Sequence, residues 1–364
     1  MPHDKHGPSG RNNLRKSLRL VAVVAATTFA AGLLVVPSAS AASKVKVGVA
    51  YDIGGRGDKS FNDSAAAGLD RAKKAFGVTA KEVTVTVGSD SEREAKLRLL
   101  ASNGYNPIIA IGFLYGGPLK KVAMDYPKVS FAIVDDASVD LLNVASLVFA
   151  AGQGSYLAGV AAALASKTGK IGYIGGVRIP LLQEFEAGFV AGVKATNKKA
   201  SVDVKYVTEP PDFGGFNDPA KAKVIANGMI DKKIDVIYSA AGGSGAGNFA
   251  AAADAAVAGK KVWTIGVDSD QYLTASSAQK KNMLTSMTKR VDNAVYDVIS
   301  ESVKGSSVND VLDPVAGIYG RNYDLSRGGV GVSYSGGFIT KFKKQIDAAT
   351  AAIVAGKIKV PTKP

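Results

Sequence analysis

From residue 45 to residue 303, short β-branched runs alternate with amphipathic helical stretches, and this rhythm restricts the fold more than any other feature of the chain. A helix that carries the chain from one strand back to the start of the next forces the two strands parallel. The alternation therefore predicts parallel sheets with helices on both faces. Apolar spacing places strands at 45–50, 83–87, 107–111, 129–134 and 144–149, with helices at 63–76, 92–103 and 119–126. The pattern then restarts: helix 156–165, strand 170–175, helix 185–196, strand 202–207, helix 220–231, strand 235–240, helix 246–258, strand 261–267 and helix 288–303. A chain of 364 residues has room for two such lobes. No long linker separates the two runs, so the chain is expected to cross between lobes more than once, with a cleft lined by both. A faint internal echo fits duplication: Phe61-Asn62-Asp63 recurs as Phe216-Asn217-Asp218, and Gly68-Leu69 resembles Gly188-Phe189.

Composition narrows the chemistry. The chain has no cysteine, which removes disulfides, thiolate metal sites and thiol nucleophiles. Its two histidines, His3 and His6, both precede an uncharged stretch at 20–36. Basic residues at 1–19, that stretch, and a small-residue A-x-A pattern ending at Ala41 together read as a secretory signal peptide at 1–41. A retained anchor is the alternative, but 17 residues are short for a membrane span, which favours cleavage. Once the leader is removed, neither His nor Cys remains, so imidazole-based triads are excluded. This leans away from an enzyme. The leader carries +4 of the formal +14, and the rest of the excess is spread as Lys doublets along helices, a solvated pattern that does not suggest nucleic acid.

In open parallel sheets, ligands sit at the carboxyl ends of the strands. After the first strand comes a loop with three glycines leading to Ser60, Phe61, Asn62 and Asp63, where Ser60, Asn62 and Asp63 are candidate helix caps. Asp135 and Asp136 follow the strand at 129–134, and Asp268-Ser269-Asp270 follow the strand at 261–267. Ala241-Gly242-Gly243-Ser244-Gly245 offers close backbone approach to a ligand but lacks the spacing of a dinucleotide-binding turn. Lys289-Arg290 is read as opening the helix after 283–287. These groups describe a polar binding cleft and no nucleophile–base–orienter set.

Several of these segments resemble the basic membrane protein (BMP)/PnrA-like family of substrate-binding proteins. They are Asp58-Lys59-Ser60-Phe61-Asn62-Asp63, Phe131-Ala132-Ile133-Val134-Asp135, Asn143-Val144-Ala145-Ser146-Leu147-Val148-Phe149, Gly172-Tyr173-Ile174-Gly175-Gly176, Phe185-Glu186-Ala187-Gly188-Phe189, and Ala240-Ala241-Gly242-Gly243-Ser244-Gly245. The resemblance implies a type I periplasmic-binding-protein fold, two doubly wound parallel-sheet lobes with a ligand cleft between them. It implies lobe 1 at 44–150 plus about 284–315, and lobe 2 at 151–283 plus about 316–358. It further implies capture of a purine nucleoside (guanosine, inosine or adenosine) for delivery to an ABC transporter permease by an exported monomer, without a cofactor.

By motif, Phe216 would stack on the base with Phe61 assisting, Asn62 and Asp135 would read the base edge, and Gly242, Asp268 and Lys289 would hold the ribose. Two departures stand out. The family's lipid-anchoring cysteine is absent, and Lys198 stands where the family often has proline. Competing readings are a binder of a monosaccharide or other small polar solute, a secreted hydrolase using Asp135/Asp136 or Asp268/Asp270, and a sugar-responsive DNA-binding regulator. The last lacks a helix-turn-helix ahead of residue 45.

Overall fold

The structure, a computed structural model, describes residues 45–306, 308, 312–313 and 318–364. The expected signal segment at 1–41 lies outside the described residues. In chain order the elements are β1 (Lys46–Tyr51), α1 (Phe61–Phe76), β2 (Thr79–Thr84), α2 (Asp90–Ser102), β3 (Ile108–Ile111), α3 (Gly116–Asp125), β4 (Phe131–Val134) and β5 (Val144–Phe149). There follow α4 (Ala151–Ala165), β6 (Lys170–Val177), α5 (Pro180–Thr196), β7 (Ser201–Thr208), α6 (Pro219–Asp231), β8 (Val236–Ala240), α7 (Gly245–Val257), β9 (Trp263–Asp268), α8 (Ser277–Lys280) and β10 (Met283–Lys289). The last are α9 (Val291–Val303), β11 (Leu312–Asp313), β12 (Ile318–Tyr323), β13 (Val330–Val332) and α10 (Lys343–Val354).

These strands form two sheets, ordered β11-β12-β5-β4-β3-β1-β2 and β13-β10-β9-β8-β6-β7. The first five strands of each sheet share the winding order 2-1-3-4-5 and are parallel throughout. This is the doubly wound architecture expected from the alternation, and its switch points lie between β1 and β3 and between β6 and β8. Central strands such as Ile-Ile-Ala-Ile in β3 and Phe-Ala-Ile-Val in β4 are buried at every residue, because helices cover both faces. The edge strands β2 and β7 are half exposed and carry Lys and Glu or Asp.

Four differences from the sequence reading have local causes. β2 runs over 79–84 and not 83–87, because its only partner, β1, ends at Tyr51 opposite Thr84. Beyond that point Val87 is left exposed. Thr288 and Lys289 end a strand over 283–289 and do not open the helix, because Thr288 pairs with Asp268 and Lys289 pairs with Val330, a partner forty-one residues away in sequence. Lys289 therefore ends β10, and α9 begins at Val291. Sheet membership also shifts two of the expected crossings between lobes. β10 pairs within the second sheet through Lys289, and β12 pairs with β5 in the first through Tyr323, so the later crossings fall at Arg290 and between Tyr323 and Val330. The Phe61/Phe216 echo does not mark equivalent places, since α1 follows the first strand of its sheet and Phe216 follows the second strand of its own. The Gly68/Gly188 echo does, because α1 and α5 are topological counterparts.

That second echo has a packing reason. The helix after each fifth strand leaves its own sheet: α4 packs on α5, and α9 packs on α1. A Cβ at Gly68 would lie 2.3 Å from the Asp292 carbonyl oxygen, and one at Gly188 would lie 2.1 Å from that of Gly152. Glycine lets these crossing helices approach backbone to backbone, and the crossings hold the carboxyl ends of the two sheets against one cleft. Among the described residues no helix is long and apolar enough to cross a membrane.

Candidate functional site

The loops leaving the carboxyl ends of both sheets enclose a cavity with about 730 Å³ of atom-free space, counting its mouth. All seven residues singled out in the sequence line it: Phe61, Asn62, Asp135, Phe216, Gly242, Asp268 and Lys289.

Two aspartates form a topological pair. Asp135 follows β4 and Asp268 ends β9, each the fourth strand of its sheet. Their φ values are +67° and +64°, left-handed conformations that Asp tolerates better than most residues. Each strand end thus turns sharply and presents a carboxylate at the cleft. Asp136 does something else: its Oδ1 accepts from the backbone N–H and hydroxyl of Ser138 at 2.8 and 2.7 Å, closing its own loop.

Lys289 reaches from the end of β10 to Asp135 across the cleft, and the two side chains are only 3% and 5% exposed. Its ammonium also lies 4.8, 5.1 and 5.8 Å from the ring centres of Phe61, Phe149 and Phe185. Aromatic faces and a carboxylate together replace the hydration of a buried cation. Asp268 is less fully compensated. Burial pushes its carboxyl up to about 6, opposed by Lys289 and by the Ser60 hydroxyl, which donates to Oδ2 at 2.7 Å. Burial likewise raises Glu184, whose carboxylate accepts from the Gly152 N–H at the start of α4.

The first loop is built by a residue other than those proposed as caps. Asp58 accepts from the backbone N–H groups of Ser60, Asn62 and Asp63 and so caps α1. Ser60 makes no side-chain cap, because its hydroxyl points to Asp268. Asp63 instead holds the loop by accepting from Gly57 and Lys59 at 2.7 and 2.9 Å. Asn62 is 3% exposed. Its Nδ2 donates to Asp58 Oδ2 at 3.0 Å and to the Ile53 carbonyl at 3.3 Å. Two further bonds tie this loop to the opposite lobe, from Ser269 Oγ to the Ser60 carbonyl and from Gln271 Nε2 to the Lys59 carbonyl, both 2.9 Å.

An aromatic wall completes the cavity. Phe216 sits in a short 3-10 turn after β7, with Gly242 behind it at φ +56°. Phe113, from the loop after β3, meets Phe216 edge-on at 6.4 Å and Phe213 at 6.0 Å. The sequence reading missed Phe113, Phe213 and Asp52. Phe113 stands two residues past β3, where the rule for strand ends points directly. Asp52, the residue directly after β1, falls under the same rule, whereas Phe213, five residues past β7, gave no comparable signal. Asp52 is fixed by the buried Arg93, whose guanidinium reaches its Oδ1 at 2.7 Å. Among the described residues no three carboxylates or imidazoles gather as metal ligands. The arrangement is one of flat apolar faces, buried hydrogen-bond acceptors and one compensated cation.

The family described as "ABC transporter substrate-binding protein PnrA-like" matches residues 44–363. The chain is 36% identical over 329 residues to a CD4+ T-cell-stimulating antigen of Listeria monocytogenes serovar 1/2a, covering 87% of this chain and 88% of the relative. It is 34% identical to the ABC transporter nucleoside-binding protein BmpA of Lactococcus lactis subsp. cremoris, covering 88% and 90%. Among solved structures, an ABC transporter solute-binding protein of Aeropyrum pernix K1 superimposes with a TM-score of 0.71 at 29% identity, covering 87% of this chain and 94% of that one.

Proposed function

The chain belongs to the PnrA-like family of ABC-transporter substrate-binding proteins, extracytoplasmic solute binders and not enzymes, and from that premise we propose that it captures purine nucleosides and hands them unaltered to a permease. The observation that carries this reading is the cavity itself: aromatic faces at Phe61 and Phe216 together with the paired aspartates Asp135 and Asp268, all on one enclosed surface. A flat heterocycle fits between rings, and each stacked ring contributes about 1 kcal/mol beyond the area it buries. Asn62 and Asp135 then read the base edge. Asp268 accepts from the ribose diol, with Gly242 allowing close backbone approach and Lys289 placed beside the ribose. The bonds from Ser269 and Gln271 to the first loop act as the clasp that shuts the lobes over the ligand. The relative from Lactococcus lactis bears a nucleoside-binding name, which supports the same class of ligand. Export by the leader at 1–41 and action as a monomer complete the proposal.

Calorimetric titration tests it. Guanosine, inosine or adenosine should give heat and raise the melting temperature, while ribose and arabinose should not. Heat with free sugars and none with nucleosides would instead favour a monosaccharide as cargo. Within the nucleoside reading, Asp268→Ala should lose binding of ribosides.

A further inference from the structure

Four lysine–ring pairs gather on one flank of the second sheet, and none of their residues lines the cavity. The Lys261 ammonium lies 3.6 Å from the ring centre of Trp263, and that of Lys280 lies 5.3 Å from Tyr272. Lys341 lies 4.9 Å from Phe342, and Lys343 lies 5.9 Å from Tyr334. All four rings are half-buried. They come from two segments distant in sequence, 261–281 and 333–344, which the fold joins. The Ser335 hydroxyl donates to Asp270, a Cβ at Gly336 would lie 3.1 Å from the Tyr272 ring, and the Phe338 ring centre is 4.8 Å from that of Trp263. Lys261 Nζ donates to the Lys281 carbonyl at 2.6 Å. Two lysine doublets, 260–261 and 280–281, thus share one corner of the molecule.

The charge of this flank is one-sided. Residues 269–281 and 333–344 hold five lysines and one acid, Asp270. That carboxylate is turned inward, with Oδ1 buried and Oδ2 taking the Ser335 hydroxyl. Lys343 pairs with Asp347. Among the described residues, Lys280, Lys281, Lys341 and Lys344 have no carboxylate partner. Leu273, 66% exposed, adds apolar surface next to Tyr272.

Aromatic rings and long-stemmed lysines suit the headgroup layer of a bilayer: the rings settle at its apolar boundary while the ammoniums stay with the phosphates. A soluble polyanion would use the charge and leave the rings and Leu273 idle. A neutral glycan needs acceptors beside the rings, and Asp270 is already engaged. We infer that this flank is a docking surface for an anionic lipid bilayer, which holds the protein against a membrane with its cavity free to load. The surface serves whatever cargo the cavity takes.

Trp263 is the single tryptophan of the chain, so its emission reports the contact directly. The full exported chain should sediment with vesicles of phosphatidylglycerol mixed into phosphatidylcholine and stay in solution with phosphatidylcholine alone. Brominated acyl chains in the mixed vesicles should quench Trp263. Lys281→Gln, Lys341→Gln and Lys344→Gln together should weaken vesicle binding about a hundredfold, near fivefold for each charge. The same change at Lys74, Lys81 and Lys120, on α1, β2 and α3 of the first lobe, should cost less than about fivefold in all. Melting temperatures check that both triple variants fold. Equal losses in the two variants would trace binding to net charge and overturn the assignment to this flank. Absence of sedimentation with the mixed vesicles, or sedimentation with Trp263 unquenched, would overturn it as well. Binding of soluble polyphosphate without binding of vesicles would name a polyanion as the occupant instead. The quenching measurement on the unaltered protein decides the matter even if a variant does not fold.

Discussion

Replacing Lys289 with Met removes a charge from the most enclosed ion pair among the described residues. The two side chains are 3% and 5% exposed, so solvent does little to rescue the carboxylate left behind. Methionine nearly fills the volume of lysine and suits the three phenyl rings around it, which keeps any packing loss small. The cost therefore falls on Asp135. Breaking a buried pair from one side typically costs about 3–5 kcal/mol. The carboxylate can escape by taking up a proton, and at pH 7 that costs an ordinary aspartate about 4 kcal/mol, which sets a ceiling. We expect Lys289→Met to lose about 3–4 kcal/mol at pH 7. The deficit should shrink as pH falls toward 4, where protonation becomes free. Adding Asp135→Asn should restore all but about 1 kcal/mol, because asparagine tolerates the φ of +67° at that position and carries no charge. Urea unfolding of the three proteins at pH 7 and pH 5 gives the comparison. A single variant that loses less than about 1 kcal/mol at pH 7, or a double variant no more stable than the single, would refute the reasoning.

Asp268 gives a pH signature of defined sign. Its carboxyl is raised by burial to about 6, so the protonated form stabilises the fold; that contribution is complete below the ordinary carboxylate range and disappears as pH rises through 6. Asp268→Asn should then match the parent below about pH 4 and exceed it by about 2–3 kcal/mol at pH 8, read as melting temperature against pH. A constant difference across that range would contradict it. Gly188→Ala should lower stability by about 2–3 kcal/mol, since its new methyl would meet the Gly152 carbonyl at 2.1 Å and push α4 from α5. Gly228→Ala, whose Cβ meets nothing within 4 Å, is the matched control and should be neutral or slightly stabilising. Equal melting temperatures for these two variants would argue against close helix crossing as the reason for Gly188.

Much of the fold was legible because buried parallel strands announce themselves as unbroken apolar runs. β3, β4 and β8 could be placed from sequence almost to the residue. What escaped depends on partners distant in the chain. β10 is held extended by β13, and no local pattern in 283–289 signals that pairing. The cavity residues were legible for a related reason: in a doubly wound sheet the residue after a strand has few places to go, so position pointed to Asp268 and to the pair Asp135/Asp136, from which the family motif chose Asp135. The helix cap was misread because Asp58 lies two residues before the cap position, and only the folded turn brings its carboxylate over three N–H groups. The hydrogen bond from Ser60 to Asp268 spans 208 residues and could not be read locally.

Mass spectrometry of the protein released gently from the cells that make it, without added ligand, addresses the central claim most directly. An intact purine nucleoside carried in one-to-one stoichiometry is the expected finding. A bound pentose or hexose, or a free base left after cleavage, would contradict it.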